Sequence, residues 1–329
     1  MKRLVLIIIA IACCTMQYNE TMQACYHNSF SQFVPKVKSF CSLNYGWTWF
    51  QSKDGPGSTM KSRILPDMLS SVATHDLCTT INGKQKCEFD KLAARMSWWN
   101  ALWMLAAMIV VIFTFDSLLW TLGIFTGCMW AYMPLAMYNI YSYDGPILFF
   151  WVLMVIFATC KTKRKWFLPA LLAAMLCKET ALVCCIVPFM WTDLLTKLRI
   201  RKALIFLACG VALKVIVDLI VQNPIPFFSM TTCAGSVHPA CWIENMHKIA
   251  AHTLDTPWLA AAGMGIGLLF LPNNPETLIW KIIAIVFTCG IMVCGISTEY
   301  RIFQELIPVF IYCYGSTYLM KDAKCKLNR

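Results

Sequence analysis

Charge is scarce in this sequence. Only 14% of its 329 residues are Asp, Glu, Lys or Arg, against about a quarter in an ordinary soluble domain. That deficit excludes a large water-soluble core. Acidic residues are scarcer still, 17 against 28 basic ones, for a formal net charge of +11. Such a balance would suit nucleic acid, but the basic residues sit in short clusters between apolar runs, so nucleic acid is excluded as a partner. No internal repeat and no low-complexity tract is present, which argues against the symmetric halves common in transporters. No pair of the five histidines, His27, His75, His238, His247 and His252, has metalloprotease or zinc-finger spacing.

What is abundant is apolar. Hydrophobic residues make up 59% of the chain and the mean hydropathy is +0.61. A membrane span needs about 20 apolar residues, fewer where neighbours shield it. The candidate runs are Leu4–Tyr18, Trp98–Phe115, Leu118–Tyr138, Ile147–Cys160, Trp166–Cys177, Ala181–Leu195, Ala203–Val221, Pro257–Leu271, Leu278–Ile296 and Ile302–Met320. Lys2-Arg3, Lys161–Lys165, Lys197–Lys202 and the tail Lys321–Arg329 punctuate them. Cytoplasmic loops are rich in Lys and Arg. Placing all four clusters in the cytoplasm requires an even number of runs between each pair, and the runs satisfy this.

The expectation is an all-α polytopic membrane protein of about ten transmembrane helices, with its C-terminus cytoplasmic. Residues 1–18 form the first helix or a signal peptide, since Ala10-Ile11-Ala12 also reads as a cleavage site. Cleavage would leave about nine spans. Residues 19–97 form an outer loop domain. Residues 98–320 form the transmembrane bundle, with an outer loop at 222–256, and residues 321–329 form a basic cytoplasmic tail.

Cys25, Cys41, Cys78 and Cys87 fall in the first outer loop, and Cys233 and Cys241 in the later one. On an oxidising side these are disulfide candidates. Nearest-neighbour pairing gives Cys25–Cys41, Cys78–Cys87 and Cys233–Cys241, although four cysteines in one loop allow three connectivities. Two outer stretches have an apolar face at helical spacing. In Ser62–Ala73 it is Ile64, Leu65, Met68, Leu69 and Val72. In Trp242–Leu254 it is Ile243, Met246, Ile249, Ala250 and Leu254. Each is either a helix in the membrane interface or part of a packed loop core.

Charges also occur where lipid should be, at a cost that usually marks function. Lys178-Glu179 interrupts an apolar run from Trp166 to Trp191. It is either a buried pair in one long helix or the turn of a hairpin of two short spans, and basic clusters at both ends favour the hairpin. Glu305 lies in an apolar run at i+4 from Arg301, the spacing of a self-neutralising pair. Asp144 sits where a helix begins and could serve as its N-cap. Asp144, Lys178, Glu179, Glu299 and Arg301 all fall at outer helix ends, and the first loop adds Glu20, Asp54, Arg63 and Asp67. Basic groups beside carboxylates suit phosphate-bearing lipid chemistry: the cations hold the phosphate, and a carboxylate acts as base towards a hydroxyl.

Four motifs follow in order: Ser62-Arg63-Ile64-Leu65-Pro66, Tyr141-Ser142-Tyr143-Asp144-Gly145-Pro146, Lys178-Glu179-Thr180-Ala181, and Glu299-Tyr300-Arg301 with Glu305 and Pro308. In these the chain resembles bacterial polytopic membrane proteins of the GT-C glycosyltransferase superfamily. The resemblance implies a GT-C-like fold in the plasma (inner) membrane, and transfer of a sugar from a polyprenyl-phosphate carrier to an acceptor at the outer face. It implies Asp144 as the second-loop catalytic carboxylate, with Glu20 or Asp54 in the first loop. Arg63, Lys178 and Arg301 would contact phosphate or sugar, with Glu179 and Glu299 beside them. No cofactor is required, and a divalent metal ion is the one candidate. Two departures stand out: Lys178 replaces the usual Arg, losing bidentate geometry, and the first loop has no clear Asp pair. The competing expectations are a catalytically inactive GT-C-like subunit binding a membrane-protein partner through residues 19–97, and a transporter or channel.

Overall fold

The computed structural model describes residues 2–27, 63–74, 78–81, 84–87, 89–132, 142–221, 265–294 and 300–318, with a few single residues between 243 and 263. The described chain is a helical bundle. Its helices are α1 (Lys2–His27), α2 (Ile64–Thr74), α3 (Phe89–Phe115), α4 (Leu118–Tyr132), α5 (Asp144–Thr159), α6 (Phe167–Cys177), α7 (Thr196–Ile220), α8 (Pro275–Cys294) and α9 (Ile307–Tyr318). Tighter 3₁₀ segments at Lys161–Trp166, Glu179–Met190 and Tyr300–Leu306 join or extend them. Between α2 and α3 lies one hairpin of β1 (Cys78–Ile81) and β2 (Lys84–Cys87), antiparallel, with Cys78 opposite Cys87. Asn82-Gly83 connects the strands, a pair suited to the positive φ angles of a two-residue hairpin turn.

Among the described residues, three helices are long and apolar enough to cross a membrane: Lys2–Met22, Ala93–Phe115 and Thr196–Ile220, of 21, 23 and 25 residues. They mark the chain as a membrane protein. Leu118–Gly127, Asp144–Thr159 and Glu179–Met190 are apolar but shorter.

The core centres on α5, most of whose residues are buried. α3 and α6 pack on α5, and α1 packs on α3. Trp120, Trp151, Trp191 and Trp280 are the largest side chains wholly enclosed. α3 runs parallel to α5: the Trp99 indole donates to the Ser142 carbonyl at 2.7 Å, and the Gly145 amide donates to Asn100 Oδ1 at 2.9 Å. α1 is antiparallel to α3, with Tyr18 stacked on Trp98 at 4.5 Å and Lys2 at the far end donating to the Asp116 carbonyl at 2.7 Å.

Two helices outrun the apolar runs that announced them. α1 continues past Tyr18 to His27, and α3 starts at Phe89, well before Trp98. Neither extension contains Gly or Pro. Gln17 and Thr21 are buried on α1, as are Ala93 and Met96 on α3, so packing carries both helices beyond their apolar stretches.

The Lys178-Glu179 alternative resolves as a hairpin. At Lys178 the backbone is extended, with φ −164° and ψ 128°, between α6 and the Glu179–Met190 segment. The chain then doubles back: Trp191 at its far end meets Phe167 at the start of α6, centroids 6.0 Å apart, and its indole donates to the Ala158 carbonyl at 2.9 Å. Arg164 and Lys161 pair with Asp193 at this same end. The clusters Lys161–Lys165 and Lys197–Lys202 thus share one end of the bundle, opposite Lys178.

The amphipathic stretch Ser62–Ala73 is helical. In α2 the polar Asp67 and Ser70 are buried and Leu65 packs against the core, whereas Leu69 and Val72 are exposed, so the apolar face is divided between the bundle and the outside. Ile243 and Met246 of the later stretch are likewise helical and exposed.

Gly145 sets the α3–α5 approach. A Cβ there would lie 2.8 Å from Trp103 Cβ and 3.2 Å from Asn100 Cα, atoms that cannot swing aside. Gly145→Ala is therefore expected to destabilise the protein by about 1–3 kcal/mol, seen as a lower thermal midpoint of the detergent-solubilised protein by tryptophan fluorescence. An unchanged midpoint would show that the two helices separate freely.

Candidate functional site

Five segments bring polar groups together at the end of the bundle away from the basic clusters. They are the start of α2, the Ser142–Asp144 turn, the Lys178–Thr180 turn, α7, and the Tyr300–Leu306 segment.

Arg63 stands just before α2. Its guanidinium grips the Glu179 carboxylate through both oxygens, at 3.1 and 3.4 Å, and lies 4.5 Å above the Tyr143 ring. Two parallel contacts to a carboxylate and one aromatic face hold an arginine in one orientation. Burial works against this charge, but Glu179, helped by Tyr143, more than offsets it, so Arg63 holds its proton above the ordinary arginine range.

Lys178 and Glu305 form the second pair, and both are buried. The other Glu305 oxygen accepts the Thr180 hydroxyl at 2.6 Å. The described partners of Glu305 are Lys178 and Thr180, because the Lys178–Thr180 turn folds back over the Tyr300–Leu306 segment; the side chain of Arg301, the partner offered by helical spacing, lies outside the described residues. Removing one member of such a pair strands a charge in an apolar interior, which costs about 3–5 kcal/mol.

Asp67 accepts a hydrogen bond from the Ser142 hydroxyl, which ties α2 to the turn before α5. Asp144 is 1% exposed and receives the Gln304 amide at 3.5 Å. It is not the N-cap of α5. Tyr143 occupies that position and Asp144 is the first helical residue, with Pro146 in the first turn where a missing N–H costs nothing. The carboxylate still faces the positive end of the helix dipole.

Of the residues singled out in the sequence, Arg63, Lys178, Glu179 and Asp144 come together here. Glu20 does not. It lies exposed on α1 because that helix continues through it, with no hydrogen bond to these groups. Asp54, Glu299, Cys41, Cys233 and Cys241 lie outside the described residues. For Arg301 and Cys25 only the backbone is described. Among the described residues, no three His, Cys, Asp or Glu side chains are grouped to hold a divalent ion.

Gln304, Asn100 and Trp99 carry no motif in the sequence, and Ser142, although inside one, gave no sign of its bond to Asp67. The sequence reading also passed over Lys214 and Asp218, paired at 2.7 Å on α7. That pair had a visible signal: two opposite charges four residues apart inside an apolar run.

No protein-family model, curated protein or solved structure matches this chain.

The Lys178–Glu305 geometry makes a stability prediction. Lys178→Met and Glu305→Gln should each destabilise by about 3–5 kcal/mol, and Lys178→Met with Glu305→Leu together should recover much of that loss. Thermal unfolding in detergent measures both; additive losses in the double variant would show that the two charges do not depend on each other.

Proposed function

We propose that the protein is a polytopic membrane enzyme of about ten spans, GT-C-like in arrangement, lying in the plasma (inner) membrane with its C-terminus cytoplasmic. Its reaction is transfer of a sugar from a polyprenyl-phosphate donor to an acceptor hydroxyl at the outer face. The observation that carries this reading is the gathering of Arg63, Lys178, Glu179, Glu305 and Asp144 at one end of the bundle, opposite the basic clusters. The alternating course of the helices supports the span count, since it keeps Lys2, Lys161–Lys165 and Lys197–Lys202 on one side.

In this reading Asp144 takes the proton of the acceptor hydroxyl as its oxygen attacks the anomeric carbon. The bond from that carbon to the phosphate oxygen breaks, and the polyprenyl phosphate leaves with the negative charge. Arg63 and Lys178 stabilise that charge, as fixed cations do in a water-poor site. Asp144 is enclosed, so the acceptor reaches it only by displacing side chains packed around it.

A second reading has an observation of its own. Arg63 and Lys178 are already neutralised by Glu179 and Glu305, as suits a catalytically inactive subunit whose residues 19–97 bind a membrane-protein partner. We also propose that Cys78 and Cys87, set opposite each other by the hairpin, form one of the outer disulfides. Peptide mapping without reduction should recover them linked, and alkylation of both thiols without prior reduction would refute the pairing.

Membranes containing the protein should transfer labelled sugar from a polyprenyl-phosphate donor to acceptor. Asp144→Asn should lower the rate by at least about 100-fold, in line with loss of a general base, while leaving the thermal midpoint close to that of the parent. Equal rates in parent and variant would exclude Asp144 as the base, and no transfer by the parent with a panel of donors would favour the subunit reading.

A further inference from the structure

α7 is the most lipid-like of the long helices, with Val215, Ile216, Leu219 and Ile220 exposed along its outer half. Within that half, Lys214 and Asp218 are buried and paired at 2.7 Å. Helix energetics do not account for the pair. Lysine preceding the acid is the weaker order at this spacing, and an acid near the last turn of a helix faces the negative end of the dipole. An ionisable pair kept inside a membrane helix against local preference points to a role.

Its place in the bundle shows which role. One turn before Lys214, Gly210 is pressed against α6 and the Glu179–Met190 segment: a Cβ there would lie 2.6 Å from Leu182 Cδ1 and 2.7 Å from Met175 Sδ. Met175 is one turn short of Lys178, and Leu182 is one 3₁₀ turn past Glu179. Advancing one turn along α7 therefore brings Lys214 level with the Lys178-Glu179 turn, and Lys214 acts electrostatically on the Glu179 carboxylate. Arg63 and Lys214 thus both act on Glu179, and Lys178 precedes it in the chain.

We propose that Lys214 receives the phosphate of a polyprenyl lipid arriving sideways from the bilayer along α7, exchanging Asp218 for the lipid phosphate and passing it to Lys178 and Arg63. The inference rests on the transferase reading and adds to it the side from which the lipid comes and the residue it meets first. Lys214 would be a substrate-contacting residue, and Asp218 its resting partner.

The test is binding, not turnover. The full-length protein in detergent is titrated with a long-chain polyprenyl monophosphate, with the corresponding polyprenyl alcohol and with inorganic phosphate, followed by tryptophan fluorescence. The parent should bind the lipid phosphate more tightly than the alcohol. Lys214→Met should weaken lipid-phosphate binding by about 10- to 100-fold, the worth of one charge-assisted contact, and leave alcohol binding unchanged. Lys214→Arg should restore it, and Asp218→Asn should tighten it by removing a carboxylate that competes with the phosphate, which a purely structural pair would not do. If Lys214→Met binds like the parent while Arg63→Gln does not, the Lys214 inference falls and the transferase reading stands. If inorganic phosphate displaces the lipid at equal concentration, the site is one for free phosphate and the lipid route is overturned. If the parent binds no lipid phosphate, both readings fall together.

Discussion

A lysine and a glutamate each sit in an apolar stretch of this chain, and neither can stay there charged without the other. The Lys178–Glu305 pair meets that requirement, and much of the architecture follows from it. The helix ending at Cys177 stops, the backbone extends through Lys178, and the next segment returns along α6. The Tyr300–Leu306 segment must lie beside that turn although it is far away in sequence. Thr180 completes the arrangement by bonding the second Glu305 oxygen.

The same constraint orders the rest of the polar end. Glu179 follows Lys178 directly and needs a cation of its own, which Arg63 supplies from the chain ahead of α2. Arg63 in turn lies on Tyr143, whose neighbour Ser142 bonds Asp67. α2 therefore buries Asp67 and Ser70 beside Leu65 and leaves Leu69 and Val72 outward. The opposite end is simpler: Lys161 and Arg164 share Asp193, beside the tryptophan that closes the hairpin. Among the described residues, one end gathers a cluster of basic side chains and the other pairs Arg63, Lys178 and Lys214 with carboxylates, an asymmetry that suits a protein fixed across a membrane.

The matched charges bear on chemistry as well. Paired cations are positioned and desolvated in advance, so an incoming phosphate would meet groups already oriented. The exchange has a cost, since each cation must release a carboxylate to accept it. Asp144 is held at the start of α5 and bonded by Gln304.

Composition and the spacing of basic clusters were enough to read a helical membrane protein and to place Lys161–Lys165 and Lys197–Lys202 at one shared end of the bundle, because lipid leaves so little choice in where charge can go. The Lys178 hairpin was legible for the same reason. The ends of α1 and α3 were not legible, since packing of Thr21, Ala93 and Met96 extends them past their apolar runs. Nor were the partners within the site. Sequence showed Arg63, Asp144, Lys178 and Glu305 as charges in costly places, and local spacing offered Arg301 as a partner for Glu305 and placed Glu20 among the candidate catalytic residues. Tertiary structure brought Lys178 to Glu305 and left Glu20 exposed. Which charge neutralises which depends on distances between segments more than a hundred residues apart, and those distances exist only once the bundle has closed.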